Sequence, residues 1–185
     1  FKKKKYGKII QLSGGGAASP LPNVNAYAVS KVGIVRFVEN LAQEVKKFNI
    51  DVNAVAPGAI NTDMLDELLK AGKKKIGNYY YQKALMQKKM GGSSYEHVNK
   101  LILFLASSYS NGISGRLISA IWDDWKILPK YKKKLLSSDI FTLRRITPKD
   151  RGFKWGLSSN NSIYDKSLIP NIKKWNQKKI TIQKI

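Results

Sequence analysis

The sequence predicts an α/β fold, in which a parallel β-sheet is packed between helices. Short apolar segments alternate along the chain with longer segments of helical period. The apolar segments are nearly continuous, which is typical of strands that are buried on both faces. The order strand, helix, strand, helix, strand implies crossover connections between parallel neighbours.

The first part of the chain supplies two strands and the helix between them. Residues 8–13 (KIIQLS) form a short apolar segment that ends in the loop sequence SGGGAASP. Residues 50–57 (IDVNAVAP) form the second apolar segment, which closes on Pro57-Gly58. Between them, residues 26–47 have helical period, with one apolar face predicted from Val29, Ile34, Phe37, Val38, Leu41 and Val45.

The pattern is weaker further along the chain. Residues 62–90 contain one or two helical turns and otherwise no clear period. Residues 93–108 begin with a capping signature and continue as a helix, and residues 113–122 predict the third strand. We therefore divide the chain into a domain over residues 1–122 and a basic C-terminal extension over residues 123–185, which we expect to be irregular, partly helical or disordered.

The composition is strongly basic, with a formal net charge of +22. Such a charge favours polyanion binding, but 29 of the 34 basic residues are lysine, whereas phosphate and base recognition favour arginine. Lysine, isoleucine and asparagine make up 61 of the 185 residues, which is the bias of an AT-rich coding sequence. We therefore expect neither nucleic acid nor another polyanion as a partner.

Several classes of protein are disfavoured by residues that the chain lacks. It has no cysteine, which excludes disulfides, thiol catalysis and thiolate metal sites, and its single histidine, His97, excludes a multi-histidine metal site. The longest apolar run, LILFLA at residues 101–106, is too short to cross a bilayer. We expect no bound metal, no membrane contact and a cytoplasmic location.

One pair of side chains in the first helix indicates proton chemistry. Tyr27 and Lys31 are four residues apart, so they project from the same face of the helix. A free tyrosine has a pKa of about 10. A lysine ammonium 4–5 Å away, at an effective dielectric near 20, favours the phenolate by about 3–4 kcal/mol. The same spacing also occurs by chance on solvated helix faces, so the pair alone does not establish catalysis.

Four segments place this pair in a larger pattern. In chain order they are IIQLSGGG, YAVSK, VNAVAPGAINT and ISGRLISAIW, and over about residues 7–122 they resemble the short-chain dehydrogenase/reductase family. The resemblance implies a Rossmann-like, doubly wound fold with helices on both faces of the sheet. It also implies an oxidoreductase that transfers a hydride between NAD or NADP and a carbonyl or alcohol substrate, and a homo-oligomer.

The resemblance assigns roles to individual residues. Tyr27 is implied as the catalytic acid/base, and Lys31 as the residue that lowers the pKa of Tyr27 and binds the nicotinamide ribose. Tyr27 and Lys31 are thus part of the implied cofactor site. Its remaining residues follow the second strand and are implied to hold the nicotinamide: Pro57, Gly58, Ile60 and Thr62.

One position departs from the family pattern. The family's serine that holds the substrate oxygen lies thirteen residues before the tyrosine, where this chain has Gly14. Ser13 is the neighbouring catalytic candidate, although adjacent strand residues point to opposite faces. Otherwise the glycine-rich loop makes room for a larger substrate, or its backbone N–H groups replace the hydroxyl as donors.

Part of the family pattern is absent from the chain. No G-x-x-x-G-x-G segment follows a strand, so the adenosine half of the cofactor has no predicted site. We expect the chain to be the C-terminal portion of an enzyme, with an incomplete sheet because the N-terminal half is missing. Two alternatives stay open: a catalytically impaired binding or scaffold protein with a polyanion-binding tail, and an inert truncated product.

Overall fold

Three parallel strands form the centre of the fold. The computed structural model describes residues 1–156. Its sheet contains β1 (Gly7–Leu12), β2 (Ile50–Ala56) and β3 (Arg116–Ser119), in the spatial order β1-β2-β3. Both neighbouring pairs are parallel. The predicted α/β class, with a Rossmann-like parallel sheet, is confirmed.

Helices connect the strands and follow the last one. The α-helices within the described residues are α1 (Asn25–Val45), α2 (Asp63–Ala71), α3 (Lys73–Ile76), α4 (Asn78–Met90), α5 (Tyr95–Ala106) and α6 (Lys132–Leu136). Short turns of 3-10 helix lie at Gly15–Ala17, Lys46–Phe48, Ser108–Ser110, Trp125–Ile127 and Pro148–Arg151.

The central strand shows that helices cover both faces of the sheet. Successive side chains of a strand point to opposite faces. In β2, Val52 and Ala54 pack with α1 in one buried cluster, whereas Val55 packs with α5 in the other. A strand between two helical layers has no solvated face, which is why β2 reads as a continuous apolar run.

The apolar face predicted for α1 is only partly buried. Val29 and Phe37 are 70% and 54% exposed. The buried residues instead follow one stripe with spacings of three and four, which is the stripe that a straight helix can present to a sheet. They are Val35, Val38, Ala42 and Val45.

Residues 62–90, which show no clear period in the sequence, form three helices separated by glycines. Gly72 lies between α2 and α3, and Gly77 lies between α3 and α4. Their φ angles are +77° and +81°, in the region that favours glycine. The two glycines let the chain change direction twice, which breaks the helical period into short pieces.

β3 is shorter than the strand predicted over residues 113–122. Gly115 has a φ of +72° and interrupts the extended run immediately before β3. After β3, Asp123 Oδ2 accepts a hydrogen bond from Ser119 N at 2.7 Å. The strand therefore ends in a turn, and Trp122 is 85% exposed.

Residues 1–144 form one compact unit, so the chain packs with the sheet beyond the predicted boundary at residue 122. Leu128 and Leu135 are buried in the same cluster as Val55. The guanidinium of Arg116 donates to the carbonyls of residues 135, 138 and 140. Such contacts between distant residues leave no periodic pattern in the sequence, which is why the predicted domain ends at residue 122.

The second unit begins at Arg145, and its described part ends at Gly156. It contains the turn Pro148–Arg151, where Thr147 and Asp150 form a capping box. The rest of the predicted extension, residues 157–185, lies outside the described residues. Within residues 1–156, no helix combines the length and the apolar content needed to cross a membrane.

Candidate active site

The carboxyl ends of β1 and β2 lie side by side and define the candidate site. Leu12 is opposite Val55 in the parallel register, and Ser13 N donates to the Val55 carbonyl at 2.8 Å. The chain then leaves the sheet through Gly14 on one strand and through Pro57-Gly58 on the other. Open α/β sheets bind ligands at this edge, where the backbone leaves the strands.

Helix α1 brings Tyr27 and Lys31 to this edge. Lys31 Nζ lies 5.5 Å from the centroid of the Tyr27 ring. Lys31 Nζ also donates to the carbonyl of Leu12, the last residue of β1, at 3.5 Å. The four-residue spacing therefore places the two side chains together, as predicted, and beside the end of a strand.

The Tyr27 hydroxyl lies against Gly14. A Cβ atom built on Gly14 would be 2.6 Å from Tyr27 Oη, which is closer than real Cβ atoms approach an oxygen. The next nearest atoms, Tyr27 Cζ and Lys31 Cγ, would be 3.6 and 3.7 Å away. The absence of a side chain at position 14 therefore makes room for the phenol at the carboxyl edge.

Ser13 contacts the backbone of α1. The residue is 3% exposed, and its Oγ donates to the Lys31 carbonyl at 3.0 Å. This hydrogen bond fixes the second turn of α1 to the end of β1. The hydroxyl of the predicted site residue Ser13 thus donates its hydrogen bond to the helix that carries Tyr27 and Lys31.

Burial raises the pKa of Tyr27 above its ordinary value, because the half-buried phenolate loses solvation. The phenol is therefore neutral near pH 7 and holds a proton that it can donate. The lowering of this pKa by Lys31, which the family resemblance implies, stays a prediction.

The bend after β2 is built around Gly58. Its φ is +87°, and a Cβ at this position would lie 2.6 Å from Ile121 Cγ1 and 3.1 Å from Ser93 Oγ. Both the backbone angle and the close packing therefore require glycine. Gly58 itself is exposed, whereas Pro57 is partly buried.

Ile60 and Thr62 continue from this bend into α2. Ile60 N donates to the Gly58 carbonyl at 3.2 Å, and the Ile60 carbonyl accepts a hydrogen bond from Gln87 Nε2 at 3.2 Å. The bend is thereby attached to α4. Thr62 is the N-cap residue of α2, but its exposed side chain makes no capping hydrogen bond.

Sequence patterns did not single out Tyr80, a partly buried residue of α4. Burial raises the pKa of Tyr80, and the negative charge of an ionised Tyr27, followed by that of Tyr79, raises it further. The only signal in the sequence is the run of tyrosines in NYYYQK, which has no helical period.

A comparison with known families agrees with this architecture. A family model described as Enoyl-(Acyl carrier protein) reductase matches residues 1–120. The 3-oxoacyl-(acyl-carrier-protein) reductase FabG of Aquifex aeolicus (strain VF5) is 35% identical over 117 residues, which are 63% of this chain and 44% of that protein. Nodulation protein G of Rhizobium meliloti (strain 1021) is 33% identical over 116 residues, again 63% and 44%. The chain thus spans less than half the length of these relatives.

Solved structures share the fold. An NAD+-bound xylitol dehydrogenase superposes with a TM-score of 0.56 at 23% identity, over 63% of this chain and 48% of that one. A short chain dehydrogenase family protein from Francisella tularensis subsp. tularensis SCHU S4 superposes with a TM-score of 0.51 at 25% identity, over 60% and 48%. Since the family model covers well over half of the sequence, and the matched residues contain the sheet and the site described above, this chain belongs to the short-chain dehydrogenase/reductase family.

Proposed function

We propose that the natural protein is an NAD(P)-dependent oxidoreductase that transfers a hydride between the cofactor and a carbonyl or alcohol substrate. The observation that carries the proposal is the position of the Tyr27 hydroxyl, against Gly14 at the carboxyl edge of the sheet, with Lys31 beside the ring. The relatives named as reductases and dehydrogenases support it. Because this chain covers less than half of the length of each relative, the proposed activity is that of the natural protein as a whole.

The residues around the bend after β2 fit the nicotinamide half of the cofactor. The backbone of Gly58 is exposed, and the Thr62 side chain makes no capping hydrogen bond. Lys31 Nζ makes one long hydrogen bond, at 3.5 Å. Each of these groups is therefore accessible to a ligand. We propose that Lys31, Pro57, Gly58, Ile60 and Thr62 hold the nicotinamide ribose and carboxamide. When bound, the cofactor supplies or accepts the hydride. The sequence has no glycine-rich turn of the kind that holds the adenosine half.

Tyr27 moves the proton in this proposal. In carbonyl reduction the neutral phenol donates its proton to the substrate oxygen, and in alcohol oxidation the phenolate accepts it. Lys31 stabilises the phenolate that forms after donation, because a cation near an oxyanion favours the charged state. Ser13 is a positioning residue, since its hydrogen bond to the Lys31 carbonyl fixes the helix turn that presents both side chains.

We also propose that the natural protein forms a homo-oligomer. Trp122 is 85% exposed at the end of β3, and large exposed aromatic side chains are enriched in interfaces. The outer edge of β3 is already used in part by its own chain, because Leu117 N donates to the Phe141 carbonyl at 2.8 Å. A contact through Trp122 would therefore be made by side chains rather than by extension of the sheet.

The experiment that tests the proposal is the substitution Tyr27→Phe in the full natural protein. Loss of the proton donor should lower kcat for reduction of a 3-oxoacyl thioester by about 10²- to 10⁴-fold. The affinity for NADPH or NADH, measured by fluorescence titration, should stay nearly unchanged because the ring remains. Tyr109→Phe is the matched control, since that side chain is 79% exposed and follows α5. Equal turnover in Tyr27→Phe and wild type would remove Tyr27 from the mechanism.

A further inference from the structure

The bend after β2, residues 57–62, is held by hydrogen bonds from the end of α4 and the start of α5. Three consecutive backbone carbonyls of the bend each accept one of them. The donors are Ser93 N to the Ala59 carbonyl at 2.7 Å, Gln87 Nε2 to the Ile60 carbonyl at 3.2 Å, and Tyr95 Oη to the Asn61 carbonyl at 3.1 Å. Gln87 Nε2 also donates to Asn61 Oδ1 at 3.2 Å. Two of the three donors are thus side chains, which a substitution can remove.

The direction of these carbonyls fixes the direction of the N–H groups that follow them. In a planar trans peptide, the N–H points away from the C=O of the same peptide unit. Because the carbonyls of Ile60 and Asn61 are directed to Gln87 and Tyr95, the N–H groups of Asn61 and Thr62 face the opposite side of the bend. Within residues 1–156, neither of these two N–H groups donates to a backbone carbonyl. Both are therefore available to a ligand on that side.

Gly92 allows the chain after α4 to approach the bend closely. A Cβ atom on Gly92, whose φ is +68°, would lie 2.7 Å from both the Ala59 carbonyl oxygen and Asn61 Oδ1. The preceding Gly91 also has a positive φ, +86°, but a Cβ on it would contact no atom within 4 Å. Gly91 is thus required only by its backbone angle, whereas Gly92 is required by the bend as well.

We propose that Gln87 and Tyr95 are positioning residues for the nicotinamide half of the cofactor. The inference rests on the proposed function, in which this bend holds the nicotinamide ribose and carboxamide. Both side chains act through the bend, because they hold its carbonyls and so orient its free N–H groups before the cofactor binds. A preorganised loop binds its ligand without the entropic cost of ordering. Release of either side chain therefore weakens binding of the nicotinamide and leaves the adenosine half of the cofactor unaffected.

The test is Gln87→Glu in the full natural protein, with Gln82→Glu as the matched control, because Gln82 is exposed on the same helix and the charge change is the same. A carboxylate cannot donate to the Ile60 carbonyl, so the bend is released. The dissociation constant for NADH or NADPH, measured by fluorescence titration, should rise about 10-fold, the effect of about one net hydrogen bond. The dissociation constant for ADP-ribose or its 2′-phosphate, which lack the nicotinamide, should keep its wild-type value, and Gln82→Glu should bind every probe as wild type does.

Three results overturn the inference. They are wild-type coenzyme affinity in Gln87→Glu, an equal loss of affinity for the coenzyme and for the ADP-ribose probe, and the same loss in Gln82→Glu. A merely structural role of Gln87 would lower the affinity for both probes together, whereas a positioning role separates them.

A second pair of variants tests the same contact without a change of charge. Gly92→Ala and Gly91→Ala both place a side chain at a positive φ, so only the clash with the bend differs between them. Gly92→Ala should weaken coenzyme binding more than Gly91→Ala does, and equal affinities overturn the inference.

The outcome also separates this inference from the proposed function. Loss of turnover in Tyr27→Phe together with wild-type coenzyme affinity in Gln87→Glu overturns this inference alone. A natural protein that binds neither NADH nor NADPH, or that keeps full turnover in Tyr27→Phe, overturns the proposed function and this inference together.

Discussion

Gly14 determines where the Tyr27 hydroxyl can lie. Any side chain at position 14 begins with a Cβ atom only 2.6 Å from Tyr27 Oη, so the phenol must move. The backbone at Gly14 is extended, with φ −176° and ψ 174°, and other residues adopt these angles without strain. A substitution at this position therefore displaces the phenol while leaving the loop intact.

We predict that Gly14→Ala lowers the rate of carbonyl reduction by about 10- to 10²-fold, since a displacement of about 1 Å at a reacting group costs a factor of this size. The measurement is kcat of the full natural protein. Gly15→Ala is the matched control, because a Cβ on Gly15 would contact no atom within 4 Å. Equal rates in the two variants would contradict the role of the Gly14–Tyr27 contact.

The sequence predicts single residues well where spacing along one helix decides their position. Tyr27 and Lys31 are neighbours because four residues on a helix always are. The partners of Ser13 and Asn23 were not predictable in this way. Ser13 contacts a residue 18 positions away, and Asn23, before α1, contacts Ile76 at the end of α3.

Among the elements, the start of the sheet is stabilised by a buried ion pair. Lys8 Nζ of β1 lies 2.8 Å from Asp51 Oδ2 of β2, with side chains that are 7% and 11% exposed. Lys8 Nζ also donates to Ser110 Oγ at 3.0 Å, and Gly112 N donates to Asp51 Oδ2 at 2.9 Å. The pair thus joins β1 and β2 to the loop that leads into β3.

We predict that Lys8→Ala lowers the free energy of unfolding by about 3–5 kcal/mol, because it leaves a buried carboxylate without its cation. Urea denaturation of this chain measures the change. Lys100→Ala is the control, since Lys100 pairs with Glu96 at 2.6 Å on the exposed surface of α5, and such pairs contribute less than about 1 kcal/mol. Similar losses in both variants would mean that the Lys8–Asp51 pair is not specially stabilising.

Elements with regular burial were predictable from the sequence. The bounds of β1, β2, α1 and α5 lie within two residues of the predicted bounds, because each has a repeating apolar pattern. The helices between residues 62 and 90 were not predictable, since glycines divide them into short pieces. The packing of residues 123–144 depends on Arg116 and on two buried leucines, Leu128 and Leu135, which no periodicity reveals.

At the scale of the whole molecule, the described chain presents one part of a family fold. Its three-stranded sheet carries the carboxyl edge with Tyr27, Lys31 and the bend at Gly58. The chain covers 44% of the length of its bacterial relatives. The proposed activity therefore concerns the natural protein as a whole, and assays must use that protein.

The most direct test of the account is the pH dependence of alcohol oxidation by the full natural protein, measured in single turnovers at saturating cofactor. In the proposed mechanism, oxidation requires the Tyr27 phenolate, and burial raises the pKa of Tyr27. Below that pKa the phenolate fraction grows about tenfold per pH unit, so the account predicts that the oxidation rate rises steadily from pH 7 to 9 in wild type and is abolished in Tyr27→Phe. A rate that does not vary with pH over this range, or the same rising profile in Tyr27→Phe, would contradict it.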